Sequence, residues 1–137
     1  MLSDPLRHVQ YQILVDKFAR KKRKQPEYVL ETAYGRLEHI FLIKLRPECL
    51  NNAHFSSNEP IILAAIRSCK LETTPVELEK LDIHLYTHEG SLDFIDITSI
   101  QALVGRVPCS NGPKWAIVDR SGTLARAVFN NDLTGGQ

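Results

Sequence analysis

The sequence predicts an α+β domain in which an N-terminal helix packs on a small, strongly bent antiparallel β-barrel of six or seven strands. Three observations lead to this prediction. Apolar residues near the start recur at helical spacing, the segments after Pro26 are short and rich in β-branched and aromatic residues, and turn-forming residues separate those segments. A parallel sheet is not expected, because no segment after residue 26 has a helical period long enough for a crossover helix.

Length and composition fit a single soluble domain that covers residues 1–137. The chain is 43% hydrophobic and 24% charged, and no apolar run approaches the roughly 20 residues that span a bilayer. The first 20 residues lack the apolar core of a secretory signal. Three widely spaced cysteines, Cys49, Cys69 and Cys109, are typical of reduced intracellular thiols rather than of a disulfide framework.

A basic amphipathic helix is predicted over residues 5–24. Asp4 can cap it, Pro5 suits its first turn, and Pro26 ends it. One face of this helix collects the apolar residues Leu6, Val9, Ile13, Leu14 and Phe18. Its last turn is cationic, which the negative end of the helix dipole favours.

The β-barrel is predicted over residues 28–129, and residues 130–137 form a loose tail. Strands are expected at 28–33, 36–46, 61–71, 81–88, 91–96, 114–119 and 123–129. The nearly continuous apolar run 61–71 can also be interpreted as a buried helix. A polar loop spans 47–60, either a short capped helical turn or a second surface loop lies in 73–80, and Glu89 and Gly90 mark a hairpin. Asp96 or Thr98 either begins a helical turn that ends near Gly105 or continues as a strand.

The strongest functional signal is the run of five consecutive cations that ends the predicted helix. Adjacent cations repel one another and are costly to bury, so they face water or a polyanion such as DNA or RNA. The predicted nucleic-acid-binding residues are Lys17, Arg20, Lys21, Lys22, Arg23 and Lys24. Their contacts should be to phosphates, and binding should be salt-sensitive with weak sequence selectivity. A solvated helix end and a nuclear-localisation signal are the alternatives.

Aromatic residues support a second interpretation. Residues from different strands, Tyr34, Phe41, Tyr86, Phe94 and Trp115, can converge at one barrel mouth and bind a methylated lysine by cation–π attraction. The peptide-binding set for this alternative is Tyr34, Tyr86, Phe94 and Trp115, and the same residues can instead fill the core.

Neither a metal site nor a catalytic site is expected, so we predict a protein that is not an enzyme and has no cofactor. His84 and His88 would lie roughly 13 Å apart along one strand, too far to share a zinc ion. Asp93 and Asp96 should diverge, and Asp119 is best explained as a turn residue whose carboxylate bonds nearby amides or pairs with an arginine.

Three segments carry a family resemblance: AYGRLEHIF at 33–41, DFIDITSIQALVGRV at 93–107 and WAIVDRSG at 115–122. With the sequence around them, about two thirds of the chain, they resemble a C-terminal region of DNA transposases that are abundant in mushroom-forming fungi. That region follows the nuclease core, and none of the nuclease's acidic residues is carried over. The barrel architecture is also similar to bromo-adjacent homology (BAH) domains, which bind histone tails or protein partners.

These resemblances imply a nuclear, non-catalytic accessory domain of a transposase-like protein, with DNA as its partner. The alternative is a protein-interaction or histone-tail reader module. Whether the chain is a fragment is left open, with a fragment favoured by the resemblance. A symmetric dimer through an open barrel edge is compatible with the prediction, but no residue pattern selects it.

Overall fold

The computed structural model describes residues 7–46 and 59–122, and these ranges form one seven-stranded antiparallel sheet. Its strands are β1 (His8–Asp16), β2 (Tyr28–Ile43), β3 (Ile61–Leu71), β4 (Ile83–Asp96), β5 (Ile100–Leu103), β6 (Gly105–Pro108) and β7 (Trp115–Val118). Their order across the sheet is β5-β1-β2-β3-β4-β7-β6. A helical turn α1 (Val76–Glu79) precedes β4, and a 3₁₀ turn (Ile97–Ser99) follows it.

The sheet curls into a half-barrel because its two edge strands are consecutive in the chain. β5 and β6 lie at opposite ends of the strand order, yet only Val104 separates them. The amide of Val104 donates to the carbonyl oxygen of His8 at 2.9 Å, which ties this link to the start of β1. The bent antiparallel barrel expected from the sequence is therefore present in this barrel-like form.

The predicted helix over residues 5–24, and with it the α+β class, is wrong. Residues 8–16 form β1, and residues 17–24 are turns. The period of the burial pattern is two: Val9 and Tyr11 are buried, Ile13 is half-buried, and the intervening Gln12 and Leu14 are exposed. β-branched and aromatic residues at alternate positions suit a strand paired on both sides. The helix prediction placed Leu14 on the apolar face that packs on the domain, but the Leu14 side chain is 66% exposed.

Most strand predictions are confirmed, with changes in how the strands divide. The segments 28–33 and 36–46 merge into β2, which carries a bulge between Leu37 and His39. The segment 61–71 is β3, so its helical alternative is wrong. The hairpin expected at Gly90 is also wrong, because β4 runs through this residue.

The shorter elements follow the sequence closely. The helical turn expected within 73–80 is α1, and β7 lies within the predicted 114–119. The segment after Asp96 contains both a helical turn and a strand, so each interpretation holds in part. The Asp96 carboxylate accepts from the amide of Thr98 at 2.8 Å to begin the 3₁₀ turn, and β5 follows. The predicted strand 123–129, the tail 130–137 and most of the loop 47–60 lie outside the described residues.

The core consists of two clusters that draw on alternate residues of the central strands. One contains Tyr34, Cys69, Tyr86, Val104 and Ile117, with Trp115 packed against it. The other contains Val9, Tyr11, Ala64 and Ile66, with partly buried residues that include Ala33 and Leu37. Burial on both faces explains why β3 reads as a continuous apolar run. Neither described range contains a helix long and apolar enough to cross a membrane.

Candidate nucleic-acid interface

The cationic run lies in the loop that joins β1 to β2, at the tip of a long hairpin. The amide of Lys17 donates to the carbonyl oxygen of Glu27 at 2.8 Å, which extends the ladder by one pair into the loop. The carboxylate of Asp16 accepts from the amides of Phe18 at 2.9 Å and of Glu27 at 3.0 Å. Asp16 thus bonds both arms of the loop and fixes where the hairpin opens.

Within the loop, consecutive turns reverse the chain without forming a helix. Backbone bonds run from Ala19 to Asp16 at 3.2 Å, from Lys21 to Phe18 at 2.7 Å and from Lys24 to Lys21 at 3.0 Å. Residues 19–28 are all exposed. The turns therefore present the cations to solvent in a compact group rather than along one helix face.

Phe18 organises three of the lysines. The ammonium nitrogens of Lys17, Lys21 and Lys24 lie 5.7, 5.8 and 4.5 Å from the centre of its ring. An ammonium ion is attracted to the face of an aromatic ring, with about 0.5–1 kcal/mol at exposed sites. Phe18 therefore holds like charges closer together than mutual repulsion alone would allow.

Few acidic groups balance this charge. Lys17 pairs with Glu27 at 3.8 Å, and both side chains are more than half exposed, so the pair contributes little to stability. Among the described residues, Arg20, Lys22 and Arg23 make no ion pair. The structure thus brings all six predicted nucleic-acid-binding residues together, but on a hairpin loop instead of a helix.

The residues of the predicted aromatic pocket separate into two places. Tyr34 and Tyr86 are buried in the first core cluster, and Trp115 packs against them. Phe94 is 61% exposed elsewhere on the sheet, where its ring lies 6.3 Å from that of Phe41. Three of the four predicted peptide-binding residues therefore meet, and the fourth does not join them.

A cation of the chain itself already occupies the aromatic cluster. The guanidinium carbon of Arg106 lies 3.9 Å from the ring centre of Trp115, and the group donates a hydrogen bond to the Tyr86 hydroxyl at 3.0 Å. Burial raises the pKa of Tyr86 and keeps the phenol neutral, although the bond from Arg106 acts in the opposite direction. Arg106 thus takes the position that an incoming methylated lysine would need.

A polar pocket of about 270 Å³ lies nearby, and it is lined by Tyr34, His84, Asp119 and Ser121 among others. The buried Asp119 carboxylate accepts from the Tyr34 hydroxyl at 2.7 Å, from the Ser121 hydroxyl at 2.6 Å and from the Ser121 amide at 2.9 Å. His84 Nε2 lies 3.3 Å from the Tyr34 oxygen. The turn-residue interpretation of Asp119 is confirmed by the bonds to Ser121.

The polar groups of Asp119, Tyr34 and Ser121 in this pocket bond to one another and hold the local structure. Burial disfavours the charged form of Asp119, but the bonds from Ser121 and Tyr34 outweigh it and hold the pKa below its usual value. Burial and the bond to Asp119 raise the pKa of Tyr34. The Asp119 turn has a local signature in the following Ser121 and Gly122, but no local signal pointed to Tyr34, which is 85 positions away.

A second part-buried phenol–carboxylate pair links the strands of the other cluster. The Tyr11 hydroxyl donates to Asp93 at 3.0 Å, and burial raises the pKa of this tyrosine. Among residues 7–46 and 59–122, no three acidic, histidine or cysteine side chains are grouped so that they could hold a metal ion.

Comparison of the chain with protein-family models, with curated proteins and with solved structures gives no significant match. The transposase and BAH resemblances therefore stay predictions, and the arguments on function below use only the chain's own residues.

Proposed function

We propose that this domain binds nucleic acid through phosphate contacts made by the β1–β2 loop. The observation that carries the proposal is the exposed group of six cations, Lys17 and Arg20–Lys24, on an eleven-position hairpin loop (residues 17–27) with Glu27 as its acidic residue. Phosphates on a nucleic acid repeat every few ångströms, so a compact cation group on a protruding loop can contact several of them at once.

The loop supplies charge and little base recognition. Lysine and arginine side chains on an exposed turn reach phosphate oxygens, and phosphate contacts carry no sequence information directly. Tyr28, the first residue of β2, is 63% exposed beside the loop and offers a ring on which an unpaired base can stack. We therefore expect salt-sensitive binding with weak sequence selectivity, to both single- and double-stranded DNA.

The histone-tail alternative has less support, because Arg106 fills the aromatic cluster that would form the cage. A place beside a transposase nuclease, and a nuclear location, follow from the sequence resemblance alone. Both stay predictions. DNA binding by this domain would agree with them but would not test them.

The test is a fluorescence anisotropy titration of labelled single- and double-stranded DNA at several salt concentrations. The variant Arg20→Gln, Lys22→Gln, Arg23→Gln removes three cations that make no described contact, so the Phe18 cluster stays intact. We expect a loss of affinity on the order of 100-fold at low salt, and a salt slope smaller by about 3 because each lost phosphate contact lowers it by about 1.

A matched control removes the same charge from other elements, with Lys70→Gln, Lys80→Gln and Arg120→Gln. These side chains are exposed on β3, after α1 and after β7. The control should retain most of the wild-type affinity. Equal losses in the two variants would show a net-charge effect without a loop site, and no DNA binding by the wild-type protein would refute the proposal.

A further inference from the structure

The second half of β2 forms an open sheet edge among the described residues. β1 pairs with β2 from Tyr28 to Arg36, whereas residues 39–43 pair only with β3. Unpaired backbone amide and carbonyl groups along a strand are a template for another strand. This segment is called the β2 edge below.

The β2 edge exposes large apolar side chains on both faces of the sheet. Ile40 is 59% exposed, Phe41 42%, Leu42 60% and Ile43 36%. Edge strands usually avoid association by means of charged residues, proline or a bulge. The bulge at Leu37 and His39 precedes the β2 edge, but residues 39–43 contain neither a charge nor a proline. The exposed area is therefore both apolar and able to pair.

We propose that the β2 edge pairs with the same edge of a second copy of this chain, as an antiparallel strand centred on Phe41. Two-fold symmetry about Phe41 places this residue opposite itself in the second copy. Ile40 then lies opposite Leu42 and Glu38 opposite Lys44, each pair occurring twice. Apolar pairs and opposite charges directly across a ladder are the combinations that stabilise antiparallel sheets.

Charge complementarity favours a second copy over an unrelated strand. Glu38 lies three positions before Phe41 and Lys44 three positions after it, so self-pairing brings opposite charges together at both ends. Lys44 makes no ion pair with another described residue, and Glu38 is already oriented by Arg36 at 3.3 Å and Arg67 at 3.4 Å. An interface of this kind is isologous, as expected for a closed dimer.

The first test is the mass of the full chain by sedimentation equilibrium, from low to high micromolar concentration. The wild-type protein should show a reversible monomer–dimer equilibrium. Leu42→Lys should raise the dimer dissociation constant at least tenfold, because it places a cation against Ile40 of the second copy. Leu30→Lys is the matched control, since Leu30 lies in the same strand, is 66% exposed and sits outside the β2 edge, where β2 pairs with β1.

The register is tested by charge reversal. Glu38→Lys and Lys44→Glu each place like charges opposite one another in a homodimer, so each variant alone should dimerise more weakly than the wild type. An equimolar mixture should recover dimers, because both cross-strand pairs are then of opposite charge. Circular dichroism establishes that each variant is folded.

Three results would overturn the proposal: a wild-type protein that is monomeric at every concentration, a dimer unaffected by Leu42→Lys, or charge variants that do not recover on mixing. The last result alone would leave association at this edge but refute the Phe41-centred register. Dimerisation is measured without DNA, so its outcome is independent of the proposed function.

Discussion

The two halves of β2 belong to one strand but are built for different surroundings. The first half, from Tyr28 to Arg36, pairs with β1 along its length and with β3 only at Gly35 and Arg36, and it begins at the basic loop. Among the described residues, the second half has a partner strand only in β3, and it exposes apolar residues on both faces. A strand in a curled sheet can therefore present a charged tip for a polyanion at one end and an apolar edge for protein pairing at the other.

The largest effect is expected at Gly35, which lies where the two halves meet. A Cβ atom there would lie 2.5 Å from Ile66 Cγ2 and 2.6 Å from the carbonyl oxygen of Arg67. Since the second contact is with backbone, β2 and β3 would have to move apart. Gly35→Ala should lower the free energy of unfolding by about 3 kcal/mol, as for a severe overpacking substitution, measured by urea denaturation.

Gly105→Ala is the control for this substitution. Gly105 also lies in a strand, but a Cβ atom there would meet nothing within 4 Å. The variant should unfold at nearly the wild-type urea concentration. A Gly35→Ala protein as stable as the control would show that the close β2–β3 approach does not set the geometry of the strand.

The second effect concerns His8, which is the Cα partner of Arg36 at the last β1–β2 pair. His8 is 1% exposed, and neither ring nitrogen has a hydrogen-bond partner among the described groups. Burial, with Arg106 and then Arg36, lowers the pKa of this histidine to about 4. In the unfolded chain, a histidine binds its proton near pH 6.5.

Folding is therefore weakened as the pH falls through this window. Below pH 6.5 the unfolded state binds a proton that the folded state excludes until about pH 4, so stability present above pH 6.5 is progressively lost. The proton excluded from His8 should lower the free energy of unfolding by about 2 kcal/mol between pH 6.5 and pH 5. Urea denaturation at each pH measures this loss.

His8→Leu should remove this part of the pH dependence. At neutral pH the variant should be as stable as the wild type or more so, because it replaces a buried ring whose nitrogens lack partners. A wild-type slope that persists in the variant would assign the acid sensitivity to other groups.

The sequence predicted the strands and the loop cations better than it predicted their arrangement. Residues 61–71 and 115–118 have compositions that suit a strand, although the apolar run 61–71 also allowed a buried helix, and the turn chemistry of Asp119 and Ser121 is local. The prediction of the first element was wrong because the apolar residues in 6–18 fit two periods at once. Val9 and Ile13 fit the spacing of a helix, and Val9, Tyr11 and Ile13 fit the alternation of a strand. Pairing with β2 decided between them, and pairing partners are not visible in a local pattern.

The candidate sites show the same limit. The cations were identified because charge is a local property of the sequence, whereas the role of Phe18 was missed because it was assigned to an apolar helix face. Arg106 was overlooked as the occupant of the aromatic cluster, since it is 20 positions from Tyr86. The β2 edge could not be inferred either, because it depends on where β1 stops pairing.

The smallest effect is expected at Phe18, and it separates the number of charges in the loop from their arrangement. Phe18→Leu keeps all six cations and a similar volume but removes the ring that Lys17, Lys21 and Lys24 approach. Loss of about 0.5–1 kcal/mol of cation–π attraction should lower DNA affinity by about two- to fivefold. The salt slope should stay at the wild-type value, because no phosphate-contacting charge is lost. The same anisotropy titration measures both quantities.

An unchanged affinity would mean that charge number alone governs binding, whereas a smaller slope would mean that Phe18 decides which lysines reach the phosphates.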